Sequence, residues 1–207
     1  MPYTLLTLGD SYTIGEGVPL YEAYPSQAVQ LLRAAGHSFA APEIVARTGW
    51  TTDELEQAIA GTRLLPQYDF VTLLIGVNNE YRGRDLDEFA REFDMLLRRA
   101  IGLAGERADH VFVLSIPDWG ISPFAGSHLP DDKGRDQLAV SAEIDAFNAA
   151  AEEHALDKGV GFIDITTHSR SFAGQAEAFA ADGLHPGGRQ YEYWAEKVVE
   201  GILGGLG

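Results

Sequence analysis

Four short segments carry residue types that could do chemistry together. The first is Leu6-Thr7-Leu8-Gly9-Asp10-Ser11-Tyr12, where an apolar run ends in a glycine and a serine follows at once. That pattern presents a hydroxyl at the carboxyl end of a buried strand. The last is Asp182-Gly183-Leu184-His185-Pro186, with a carboxylate and an imidazole three residues apart in a turn that leads into a helix. Between them lie Gly49 and Asn78, each just past a strand-like run or a glycine turn. A free serine hydroxyl is a weak nucleophile and needs an adjacent base and donors for the developing oxyanion. His185 would take the Ser11 proton, with Asp182 holding the other ring nitrogen and stabilising the imidazolium. The Asn78 side-chain amide, the Gly49 backbone N–H and the Ser11 backbone N–H would supply the oxyanion donors. Such a set performs serine-based acyl transfer.

Each segment also has an ordinary structural reading. Ser11 alone suits a helix N-cap, Asp182-Gly183 a turn, and His185-Pro186 the entry to a helix. Asn78-Asn79 suits a turn and Gly49 a positive φ. The combination tips the balance toward chemistry. Gly36-His37-Ser38-Phe39-Ala40 approximates a nucleophile elbow, but that motif must join a strand to a helix and here it follows a helix. The six histidines show no H-E-x-x-H pattern, and no stretch matches a phosphate-binding loop or, between Gly9 and Gly17, a dinucleotide fingerprint. No metal or cofactor is expected. Two rival functions are a metal phosphoesterase using Asp10 and Asp182, and a noncatalytic binding protein.

The elements that must position these residues can be read from pattern. With 207 residues, 45% hydrophobic and 22% charged, the chain fits one folded domain spanning residues 1–207. The formal charge of −16 argues against nucleic acid, anionic membranes and strongly anionic substrates as partners. The absence of cysteine removes thiol chemistry and disulfides. Without a basic leader or a run of ~20 apolar residues, the expectation is a cytoplasmic protein with no membrane span, although a mature secreted form would look the same. Oligomeric state is not legible.

Strands are expected over 3–8, 43–46, 70–75, 111–116 and 160–165. Helices are expected near 26–35, from the Thr51-Thr52-Asp53-Glu54 capping box to Gly61, over 86–100, over 140–151, and near the C-terminus from Tyr191 to Ile202. Residues 117–135 read as one long connection without an element of its own. Five strands alternating with helices imply a parallel sheet covered on both faces, with ligands outside the carboxyl ends of the strands. Candidate substrate-pocket residues are Asp10, Tyr12, Asn79, Tyr81, Trp119 and Phe124, with Arg82 also within reach of the cleft.

Together, Gly9-Asp10-Ser11, Gly49, Gly76-Val77-Asn78 and Asp182-Gly183-Leu184-His185-Pro186 resemble the four blocks of the SGNH (GDSL-type) hydrolases, in the family's order and spread over almost the whole chain. The resemblance implies a flavodoxin-like three-layer α/β/α sandwich and an ester-hydrolysing serine enzyme without a metal. It carries the nucleophile onto Ser11, the oxyanion donors onto Ser11, Gly49 and Asn78, and the acid and base onto Asp182 and His185. Tyr12 stands where the family name has Leu, and Asn79 where Asp is more usual. A small-molecule ester with a short acyl chain is the expected substrate. Acetylated carbohydrate comes second, and thioesters or lysophospholipids remain open.

Overall fold

A computed structural model describes residues 1–206. In chain order the elements are β1 (Leu5–Gly9), α1 (Ser11–Ile14), α2 (Tyr24–Ala34), β2 (Glu43–Ala46), α3 (Thr52–Gly61), β3 (Phe70–Leu74) and α4 (Val77–Tyr81). They continue as α5 (Leu86–Leu103), β4 (Val111–Leu114), α6 (Pro123–His128), α7 (Gln137–Asp157), β5 (Gly161–Ile163), α8 (Thr166–Arg170) and α9 (Gly188–Gly205). The strands form one parallel sheet in the order β2-β1-β3-β4-β5. Every residue of β1 and β3 is buried, as expected for strands covered on both faces. α2 packs against α9, while α5 lies between α3 and α7.

Local sequence explains most boundaries. Thr51 and Glu54 form the reciprocal capping box that starts α3. Asp85 accepts from the Glu88 N–H to start α5, whose Phe89, Phe93, Leu96, Leu97 and Ala100 form its buried stripe. The strands match expectation within a few residues.

The connection from Pro117 to Arg135 departs from it, because it contains the short helix α6. Ser122 caps that helix by accepting from the Ala125 N–H at 3.1 Å, and Pro123 occupies the first turn. Proline tolerates that position because no N–H is needed there. Two segments read as turns, at Ser11 and at Asn78, are likewise short helices.

The sheet register sets the level of the site. Gly9 pairs with Ala46 on one side and Leu74 on the other, so β1, β2 and β3 end together. The chain leaves β1 toward β2 at one edge and returns to β3 on the opposite side of β1. That is the switch point at which doubly wound sheets open a crevice. Gly9 is required by close approach: a Cβ there would collide with the Leu74 carbonyl oxygen and the Thr13 hydroxyl. Gly76, at φ +129, would place a Cβ 2.7 Å from the Phe89 ring and 2.8 Å from Ile116.

Asp10, fully buried, is the N-cap of α1 and accepts from the Tyr12 N–H at 3.0 Å. Its second oxygen has no hydrogen-bond partner among the described residues. Burial therefore pushes the carboxyl up to about 7, against the backbone hydrogen bonds that lower it.

Two stability predictions follow from this strand end. Overpacking costs ~1–3 kcal/mol, and a rigid carbonyl puts Gly9→Ala at the upper end. At ~2–4 °C per kcal/mol for this size, its melting temperature should fall by roughly 6–12 °C; an unchanged value would contradict the tight strand end. For Asp10, a folded-state value above the unfolded one favours folding below pH ~4, and the advantage disappears as pH rises through about 7. Asp10→Asn keeps the capping oxygen and removes the charge. Melting curves should show it more stable than wild type by several degrees at pH 8.5, with the gap closing below pH 5. A gap independent of pH would refute the buried charge.

Candidate active site

Ser11 is the first residue of α1. Because Asp10 performs the capping, the Ser11 hydroxyl is free for other work. It lines a cleft of about 190 Å³ at the carboxyl ends of β1 and β3, together with Gly49, Asn78 and His185. Four segments scattered through the chain thus meet at one cleft.

The histidine is held from below. Asp182 Oδ2 lies 2.6 Å from His185 Nδ1, a distance at which the protonated ring nitrogen donates to the carboxylate. Asp182 Oδ1 accepts from the backbone N–H groups of Leu184 at 2.9 Å and His185 at 3.0 Å. Gly183, at φ +69, makes the tight turn this arrangement demands. Partial burial raises the Asp182 carboxyl, but the bonds from His185 and the two N–H groups outweigh it and hold the group below the usual carboxylate range. The ring of Tyr12 meets the His185 ring edge-on at 5.7 Å. The Glu16 carboxylate, hydrogen-bonded to Thr48, lies 4.0 Å from His185 Nε2.

Gly49 and Asn78 are tied together. The Asn78 side-chain amide donates to the Trp50 carbonyl at 3.0 Å, which leaves its second amide hydrogen for another acceptor. Gly49 has φ +85, and its carbonyl accepts from the Arg82 guanidinium at 2.5 Å. Arg82 therefore braces the Gly49 turn. It is not part of the cleft lining expected from its place in the sequence.

Of the expected pocket residues, Tyr12, Tyr81, Trp119 and Phe124 line the cleft; Asp10 and Asn79 do not. Both are fully buried beneath it. Asn79 turns inward, accepting from the Thr52 N–H at 3.1 Å and donating to the Thr52 hydroxyl at 2.7 Å. An amide serves this pairing because it is donor and acceptor at once, so α3 is held to α4 without a carboxylate.

Thr48, Val77 and Leu184 complete the lining and escaped sequence reasoning. So did Glu80, the buried carboxylate of α4, which receives the Trp119 indole N–H at 2.7 Å and Arg135 at 2.6 Å. Burial raises the Glu80 carboxyl, opposed by the Trp119 bond and the Arg135 charge and reinforced by the nearby Glu143 carboxylate.

Among the described residues no group of three or more His, Cys, Asp or Glu side chains is placed to hold a metal. No helix of the described residues is long and apolar enough to cross a membrane.

Comparisons with known proteins bear on the fold and the family. The chain superimposes on a lipase/acylhydrolase from Enterococcus faecalis with a TM-score of 0.74 at 20% identity, covering 98% of this chain and 96% of that one. The psychrotrophic esterase EstA from Pseudoalteromonas sp. gives 0.68 at 14% identity, covering 98% of each chain. A variant of Axe2, an acetyl xylan esterase from Geobacillus stearothermophilus, gives 0.66 at 20% identity, covering 97% and 94%. At these identities the likeness establishes the fold. No curated protein sequence matches the chain. The model of the GDSL-like lipase/acylhydrolase family matches residues 7–193, nearly the whole chain, and the protein belongs to that family.

Proposed function

We propose that this protein is a serine ester hydrolase acting on short-chain, acetyl-type carboxylic esters. The observation that carries the reading is the 2.6 Å Asp182–His185 pair, set on the cleft that also holds Ser11, Gly49 and Asn78. In this mechanism Ser11 Oγ attacks the ester carbonyl carbon while His185 Nε2 takes the hydroxyl proton. Asp182 keeps the ring oriented and stabilises the imidazolium. The carbonyl oxygen gains the negative charge and accepts from the Ser11 and Gly49 N–H groups and the free amide hydrogen of Asn78. Collapse of the tetrahedral species breaks the bond to the alcohol oxygen, which leaves with the proton from His185. Water, deprotonated by His185, then attacks the acyl-serine; the acid departs and Ser11 regains its proton.

The acyl size follows from the cleft. A volume of about 190 Å³, bounded by Val77, Leu184 and Tyr12, suits a few carbons better than a lipid tail. This disfavours lysophospholipids and long acyl thioesters. A carbohydrate O-acetyl ester is the second reading, favoured by the exposed Tyr81 ring at the rim and by the activity for which Axe2 is named. The metal phosphoesterase alternative loses support because its two carboxylates are separately engaged, Asp10 on the Tyr12 N–H and Asp182 on His185. A noncatalytic binding protein would have no use for the same constellation.

Two measurements test the proposal. Ser11→Ala should abolish turnover of p-nitrophenyl acetate, and Asn78→Ala should lower kcat by ~10²–10³ with an unchanged circular dichroism spectrum. Wild-type turnover in the Asn78 variant would remove that residue from the oxyanion site. Across p-nitrophenyl acetate, butyrate and octanoate, kcat/KM should fall by at least about tenfold from acetate to octanoate, as misfit methylenes cost ~1–3 kcal/mol. A profile rising toward octanoate would replace the short-acyl reading with a lipase-like one.

A further inference from the structure

Beside the cleft lies a second cavity of about 200 Å³ that shares Tyr81, Trp119 and Phe124 with it as a common wall. Beyond that wall the lining changes character, to His128, Asp132 and Lys133. The two spaces together reach the ~300–1,000 Å³ usual for small-molecule sites. One compartment is largely apolar and holds Ser11; the other is aromatic on one side and charged on the other.

This second compartment is preorganised. Trp119 and Arg135 are both anchored on buried Glu80, at 2.7 and 2.6 Å, and the Arg135 guanidinium sits 5.9 Å from the centre of the Trp119 ring. Asp131 ties the turn by accepting from the Lys133 N–H at 3.0 Å, the Arg135 N–H at 3.0 Å and Arg135 Nε at 2.7 Å. His128 stacks on Phe124 at 3.9 Å with 14° between the planes. Its Nδ1 lies 2.9 Å from the Phe124 carbonyl, which fixes the ring. The exposed Asp132 and Lys133 side chains stand on this braced turn, and among the described residues no ion pair engages either of them. The pattern is that of a built wall bearing unspent polar groups.

We propose that the second cavity is a leaving-group subsite that receives a neutral, hydroxylated ring, the sugar side of a carbohydrate ester. The inference rests on the esterase reading and narrows its substrate class. An alkyl chain entering here would strip water from Asp132 and Lys133 and return nothing, which is costly for charged groups. Sugar hydroxyls can donate to the Asp132 carboxylate and accept from the Lys133 ammonium, replacing the water they displace. The apolar face of a pyranose packs on aromatic surfaces such as Tyr81 and the His128–Phe124 stack. An anionic ring is disfavoured by Asp132 and by the net charge of −16. With its acetyl group on the Ser11 side of the wall, such a substrate would span both compartments.

The test is binding without turnover. Ser11→Ala protein is titrated by calorimetry with partly acetylated cellotriose and, separately, with p-nitrophenyl octanoate. The same titrations are run on Ser11→Ala proteins that also carry Asp132→Ala or Lys133→Ala, after thermal melts confirm folding. The acetylated trisaccharide should bind saturably, and each added substitution should weaken it by about tenfold, the loss expected for a hydrogen bond to a charged group. The octanoate ester should bind weakly and respond to neither. Three outcomes overturn the subsite: no saturable trisaccharide binding, binding that ignores both substitutions, or tighter binding of octanoate that depends on them. Failure of the esterase reading would appear elsewhere, as absence of wild-type turnover on p-nitrophenyl acetate.

Discussion

The central constraint is that β1 is hydrogen-bonded on both flanks by parallel strands, and that all three end at one level. Gly9 faces Ala46 and Leu74, and its lack of a side chain lets the Leu74 carbonyl approach. From that level the three chains diverge into Ser11, Gly49 and Asn78. No residue in this set is placed by its own neighbours alone. A parallel sheet with a switch in winding direction leaves a crevice there whatever the side chains are, and the sequence supplies the chemistry that fills it.

Around the crevice the fold tolerates buried polar groups by two different routes. Asn79 is fully matched by Thr52, and Glu80 is matched by Trp119 and Arg135. These pairings bind α4 to α3 on one side and to the loop before α7 on the other, so the helix that carries Asn78 cannot drift. Asp10 follows the second route: one oxygen caps α1, the other is unpartnered, and the carboxyl responds by holding its proton toward neutral pH. The first route adds rigidity. The second costs stability at the base of the proposed nucleophile and frees the adjacent serine from capping. Desolvation of this kind concentrates where a scaffold serves a reaction.

Legibility in the sequence follows the range of the interaction. Short-range signals were informative: the Thr51–Glu54 capping box, the Asp85 start of α5, the apolar strand runs and the Asp182–His185 spacing all describe groups within a few residues of one another. Direction was harder. Asp10 and Asn79 sit next to Ser11 and Asn78, yet in a short helix adjacent side chains leave the axis on different sides, so one neighbour faces the cleft and the other the core. The α6 segment was missed because glycine, proline and serine read as loop, whereas Ser122-Pro123 is also a helix start. The link from Glu80 to Arg135 had no sequence signal at all. It joins α4 to a loop far along the chain, and only the packing of α5 and α7 brings the two together.

The same contrast of range bears on how the site would respond to loosening of the fold. The proposed acid and base, Asp182 and His185, are three residues apart and share a turn whose N–H groups are bonded to the Asp182 carboxylate. Such a pair keeps its geometry so long as its own turn survives. The serine comes from the opposite end of the chain, and its distance from His185 is set by the whole sheet together with the packing of α9 on α2. Tyr12 and Trp194 meet edge-on at 6.2 Å, and Tyr12 also touches His185, so a single aromatic ring connects α1, α9 and the histidine turn. A disturbance in the core under α9 would therefore reach the serine–histidine gap before it reached the aspartate–histidine bond. Gly49 and Asn78, the proposed oxyanion donors outside α1, are held by the separate braces of Arg82 and Asn79 and would be the last to move.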